Sequence, residues 1–129
     1  GRCRDTTLAE RIPMAREYWD RNDPHHVDGE GAESFAELMG RVDTMWKRLG
    51  EQHAGKWVVI FAHAQFVRAS IWHWLYEGPK VSALGMKRFR SFLTAFPIMN
   101  GSVLKARHDG EFWQGAACVD HIPKHLWTN

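Results

Sequence analysis

Cysteine is scarce in this chain: Cys3 and Cys118 are the two in 129 residues. That is too few for a disulfide framework, and a chain of this length can fold without staples. An excess of one charge is also missing, since 17 Lys and Arg against 15 Asp and Glu leave a formal +2. Such a balance gives no electrostatic reason for nucleic acid or a membrane surface to be the main partner. No apolar run approaches the roughly 18 residues of a spanning helix. The opening Gly1-Arg2-Cys3-Arg4-Asp5 lacks the pattern of a signal peptide. Internal repeats and low-complexity stretches are absent. The expectation is a soluble, reduced, cytoplasmic protein without nucleic-acid or membrane partners.

What is present is globular in composition, with 44% apolar and 25% charged residues, enough for one domain with its own core. Seven tryptophans spread from Trp19 to Trp127. Spread in this way they read as packing residues, with an aromatic ligand platform as the alternative.

Up to about Gly31 the chain is polar and broken by Pro13, Pro24 and Gly29, so an irregular segment is expected, with one short helix around residues 14–19. From Ser34 onward the pattern sharpens. Phe35, Leu38, Met39, Val42, Met45, Trp46 and Leu49 recur at three- and four-residue steps, which puts them on one stripe of a helix. Ser34 and Glu37 fit a capping box at its start, and Gly55 supplies a stop beyond His53. Trp57-Val58-Val59-Ile60-Phe61-Ala62 is a β-branched and aromatic run, which suits a strand covered on both faces in a parallel sheet. His63 follows at its carboxyl end. Phe66, Val67, Ser70, Ile71, Trp74 and Leu75 then show helical spacing up to Gly78-Pro79. A further helix is expected over residues 81–92. Strands over 102–108 and 111–119 follow, joined at Asp109-Gly110, and then a tail from Asp120 interrupted by Pro123. The fold class is α/β with a mixed, mostly parallel sheet flanked by helices.

Ligands of open α/β sheets sit beyond the carboxyl ends of strands, where helices begin and their first amides point outward. His63 occupies that place. A phosphate there would accept hydrogen bonds from the imidazole and from amides near Ala64 and Gln65, and its charge would favour a protonated ring. The plain alternative is a histidine bonded only within a strand-to-helix turn. Other chemistries find less support. His25-His26 and His121 with His125 lack a third ligand, so no metal is expected. Neither cysteine is followed six positions later by Arg, and neither a Gly-x-Ser-x-Gly elbow nor a Gly-rich nucleotide loop occurs.

Several residues taken in order carry a resemblance. Gly31-Ala32-Glu33-Ser34 opens an amphipathic helix with Arg41-Val42. Val58-Val59-Ile60-Phe61-Ala62-His63 comes next, with Phe66-Val67-Arg68, then Asn100-Gly101-Ser102-Val103 and a hairpin ending in Phe112-Trp113. Over about residues 5–119 this series resembles the later two thirds of the histidine phosphatase superfamily, the phosphoglycerate-mutase-like proteins. The resemblance implies phosphoryl transfer through a phosphohistidine, without a cofactor, on a small phosphorylated substrate. In that family a first histidine, in Arg-His-Gly, attacks phosphorus, while a second histidine and arginines hold its equatorial oxygens. His63 matches the second.

No Arg-His-Gly occurs in the 129 residues. Arg107-His108-Asp109-Gly110 is a superficial echo in the expected hairpin, aimed away from a strand-end pocket. The resemblance therefore implies a single, partial domain over residues 1–129, incomplete at its N-terminus. A homodimer or the missing N-terminal segment would then cover the exposed sheet edge. The family also carries a carboxylic acid that protonates the leaving group, and Leu8-Ala9-Glu10-Arg11 matches that segment loosely. Glu10 is thus a catalytic candidate beside His63, or else a solvated carboxylate next to Arg11. Glu33 reads as structural at a helix start, and Arg68 as facing solvent or an acidic neighbour. Asn100 is a turn signal that matches a position near the family's pocket, and it joins Ala64 as a substrate contact. Two function classes stay open: an enzyme whose second active-site histidine lies here, the chain being inactive alone, and a non-catalytic phosphate-binding or protein-interaction module.

Overall fold

The computed structural model describes residues 5–78 and 80–126; Cys3, Pro79 and Trp127 lie outside them. The first element, α1 (Leu8–Arg21), is longer than the short helix expected around residues 14–19. Its start is fixed by Thr7 and Glu10, which form a capping box: the Thr7 hydroxyl accepts from the Glu10 amide at 3.4 Å, and Glu10 accepts from the Thr7 amide at 2.7 Å. Two orphan donors of the first turn are satisfied in this way. Pro13 lies inside the helix, on an exposed face where water can solvate the carbonyl its missing N–H leaves unpaired. No residue of α1 is fully buried, and it docks through the half-buried Tyr18 and Trp19.

The helix α2 (Phe35–Gln52) agrees with its sequence pattern. The Ser34 hydroxyl accepts from the Glu37 amide at 3.1 Å and Glu37 accepts from the Ser34 amide at 2.8 Å. Its apolar stripe is the core's backbone, with Phe35, Leu38, Met39, Val42 and Trp46 all buried. The chain leaves α2 through His53, whose amide donates to the Leu49 carbonyl, and turns at Gly55 with a φ of +72°, a conformation that favours glycine.

Two helices complete the core. In α3 (Ala64–Leu75), Ala69, Ile71 and Trp72 are buried. In α4 (Ala83–Ala95) it is Met86 and Phe89. Trp72 meets Phe89 edge-on with ring centroids 5.6 Å apart, an arrangement that suits the ring quadrupoles. Of the tryptophans, Trp46 and Trp72 are buried, Trp19, Trp74 and Trp113 are half-buried, and Trp57 is exposed. Packing thus accounts for five of them.

The strands β1 (Val103–His108) and β2 (Trp113–Cys118) pair antiparallel, from Val103 opposite Cys118 to His108 opposite Trp113. The connection is four residues long rather than a two-residue Asp-Gly turn. The Asp109 carboxylate accepts from the Glu111 and Phe112 amides at 2.9 and 2.8 Å, and Gly110 has a φ of +109°. Trp113 carries the hairpin onto the core, with its ring centroid 4.5 Å from that of Trp46. A 3-10 turn, Lys124–Leu126, follows.

The expected mostly parallel sheet is not what forms: among the described residues the sheet is this one antiparallel pair. Residues 57–62, read as a buried strand, carry no regular structure and are exposed, Val59 at 80% and Phe61 at 96%. Composition gave that run a strand's propensity, but a strand exists only through ladder hydrogen bonds to a neighbour. Among the described residues none lies beside it. The architecture is therefore helical, with a small hairpin.

Candidate functional site

The exposed run delivers His63 to the start of α3. His63 is its N-cap, in extended backbone conformation, and its side chain makes no capping hydrogen bond. The first carbonyl-to-amide bond of the helix runs from the Val67 amide to the His63 carbonyl at 3.1 Å. The amides of Ala64, Gln65 and Phe66 therefore have no carbonyl within the helix to receive them. These amides and the helix dipole place partial positive charge beside an imidazole.

Beside this helix start lies an open depression of about 540 Å³ lined by His63, Gln65, Arg41, Glu33 and apolar side chains. Arg41 forks onto Glu33, Nε to Oε1 and Nη2 to Oε2, both at 2.8 Å. Its guanidinium lies 4.5 Å above the centre of the Phe66 ring. The hydrogen bonds to Glu33 raise the Arg41 pKa above its ordinary value. Both partners are exposed, where such pairs contribute about 0–1 kcal/mol, so the fork orients Arg41 more than it stabilises the fold. A smaller recess of about 90 Å³ adjoins through Glu33, Leu38 and Gln65 and reaches Tyr18. Burial pushes the Tyr18 hydroxyl above its ordinary pKa, and the Phe35 backbone amide acts the other way.

Of the residues singled out from sequence, the structure brings His63 and Ala64 together at one helix start. Glu10 and Asn100 do not line the depression. Glu10 is exposed and held in the α1 cap, where the Thr7 amide and then the Thr7 hydroxyl lower its pKa. A leaving-group acid needs the opposite shift. Asn100 is exposed in the turn before β1, which is closed by a 3.1 Å bond from the Ser102 amide to the Met99 carbonyl. Arg68 is half-buried, and its Nε donates to the Phe96 carbonyl at 3.0 Å, tying α3 to the end of α4. Glu33, expected to serve the start of α2, is paired with Arg41. Two of the four histidines weighed as metal ligands have contacts elsewhere. His26 lies with its ring 5.9 Å from that of Tyr18, and His121 donates from Nε2 to the Gly101 carbonyl at 2.8 Å.

Sequence reading did not single out Arg41 as a pocket group, nor Gln65 and Phe66 as its neighbours. Arg41 stands eight residues beyond Glu33, a spacing with no standard pairing rule. Its place beside His63 depends on how α2 packs against α3.

An uncapped helix start, an imidazole and an adjoining depression suit an oxyanion ligand. A family model for the histidine phosphatase superfamily (branch 1) matches residues 1–120. The chain belongs to that superfamily, whose general chemistry is phosphate-ester hydrolysis or phosphoryl transfer. No curated protein and no solved structure matches it.

Proposed function

We propose that this chain supplies the second, phosphate-holding histidine of a phosphomonoester hydrolase or phosphoryl transferase. The carrying observation is that His63 lines the depression from the N-cap of α3 with its side chain uncommitted to the helix. On this reading the imidazole and the amides of Ala64 and Gln65 hold the equatorial oxygens of a phosphoryl group. They stabilise a transition state in which positioning and neutralisation do most of the work. Glu10 would protonate a leaving group only after releasing Thr7, and Asn100 would contact substrate only from the neighbouring turn. No Arg-His-Gly stands among the 129 residues, and on this reading they do not supply the attacking histidine. A second copy or an N-terminal segment that pairs with residues 57–62 would also cover their exposed apolar side chains.

A second reading, favoured by the same missing motif and by the ionised, capped Glu10, is a module that binds phosphate without turnover. Turnover of a chromogenic phosphomonoester separates the two. The enzyme reading expects turnover by the protein that includes an Arg-His-Gly segment, falling about 100-fold or more in His63→Ala, the scale of losing one oxyanion donor. Unchanged turnover in that variant would remove His63 from the chemistry, and no turnover in any form of the protein would leave the binding module.

A further inference from the structure

Arg41 is a second group in the depression suited to an oxyanion. A guanidinium offers one fork from Nε with Nη2 and another from Nη1 with Nη2, each matched to a pair of oxygens. Glu33 occupies the first, with Nε on Oε1 and Nη2 on Oε2, both at 2.8 Å. The second is uncommitted, since Nη1 has no hydrogen-bond partner among the described residues. The guanidinium also rests on the Phe66 ring, 4.5 Å from its centre, and Phe66 belongs to the first turn of α3, three residues after His63. Its position is therefore set before any ligand arrives, which lowers the ordering cost that a loose arginine side chain brings to a contact. The side chain is 55% exposed, so an anion can reach it without disturbing the core. Glu33 counts against the site, because its charge offsets that of Arg41 at a distance. What survives the offset is directional: two N–H groups in one plane, in the depression that His63 and Gln65 also line. Hydrogen bonds between an ionised donor and an ionised acceptor are among the strong ones.

We infer that Arg41 is a phosphate-holding residue. Its Nη1–Nη2 fork takes two oxygens of the phosphoryl group whose other contacts are His63 and the amides of Ala64 and Gln65, while Glu33 keeps the guanidinium in place. The inference deepens the phosphate reading above and rests on it.

Calorimetric titration of the 129-residue chain and its variants with inorganic phosphate, at one ionic strength, tests the assignment. Arg41→Gln removes the cation and should weaken phosphate binding about tenfold or more, the scale of losing a hydrogen bond between ionised groups. Arg41→Lys keeps the charge but not the fork, and it should stay severalfold weaker than the parent. Melting temperatures of both variants should lie near that of the parent, because the pair they break is exposed. Unchanged affinity in Arg41→Gln, with binding still lost in His63→Ala, would overturn the role of Arg41 and keep the phosphate site. Parent-like affinity in Arg41→Lys would show an effect of charge alone and overturn the fork. Absence of phosphate binding by the parent chain would overturn the phosphate reading, and this inference with it.

Discussion

Two glycines show how closely single residues are fitted. Gly115 in β2 lies against Trp74, and a Cβ there would stand 2.5 Å from Cζ3 of that indole and 2.8 Å from the Lys105 carbonyl oxygen. Gly115→Ala should therefore destabilise the fold by about 1–3 kcal/mol, the usual cost of overpacking, measured by urea unfolding. Gly85 makes the sharper case. Ala is normally the better helix former than Gly, but a Cβ at Gly85, in the first turn of α4, would collide with the Lys80 carbonyl. That neighbour is backbone and cannot swing away. Gly85→Ala should lower stability in the same assay, and a gain would show that the approach to α4 rearranges freely. Neither constraint was legible in sequence, where both glycines look like ordinary interruptions. The clashes arise between groups that only the folded chain brings together.

At the scale of elements, what the sequence shows depends on whether an element's causes are local. The start of α2 was readable because Ser34 and Glu37 stand three residues apart ahead of a periodic run. Thr7 and Glu10 carry the same signal for α1, but Pro13 and the polar composition masked it. Residues 57–62 are the opposite case, with strong strand propensity and no neighbouring strand among the described residues. If a second copy covers this run, Phe61→Glu should reduce self-association seen by sedimentation velocity without altering helix content, and unchanged association would exclude the run as its cause. Between α2 and α3, Asp43 accepts from Lys47 at 2.7 Å and meets His73 Nε2 at 3.0 Å. Lys47 chiefly, and then His73, lower the Asp43 pKa against the opposing effect of burial. A carboxylate whose folded pKa is depressed adds stability above its unfolded value, near 4, and that stability disappears as pH falls through the folded value. Melting temperatures taken from pH 6 down to pH 2 should thus fall less steeply for Asp43→Asn than for the parent. Parallel curves would mean that the Asp43 contacts do not form in solution.

For the whole molecule, the superfamily and the position of His63 were legible because they reside in an ordered series of short motifs. The sheet was not, because its expected parallel form depends on strands that the described residues do not contain. The Arg41 fork was not either, because it follows from the packing of one helix on another. The account depends on phosphate meeting the His63 ring at the uncapped start of α3, and a nuclear magnetic resonance titration of the 129-residue chain with inorganic phosphate observes that meeting directly. The account predicts saturable shifts of the His63 ring signals together with the Ala64 and Gln65 amides, all absent in a folded His63→Ala variant. Ring and amide signals that stay fixed in the folded parent protein up to saturating phosphate would contradict it.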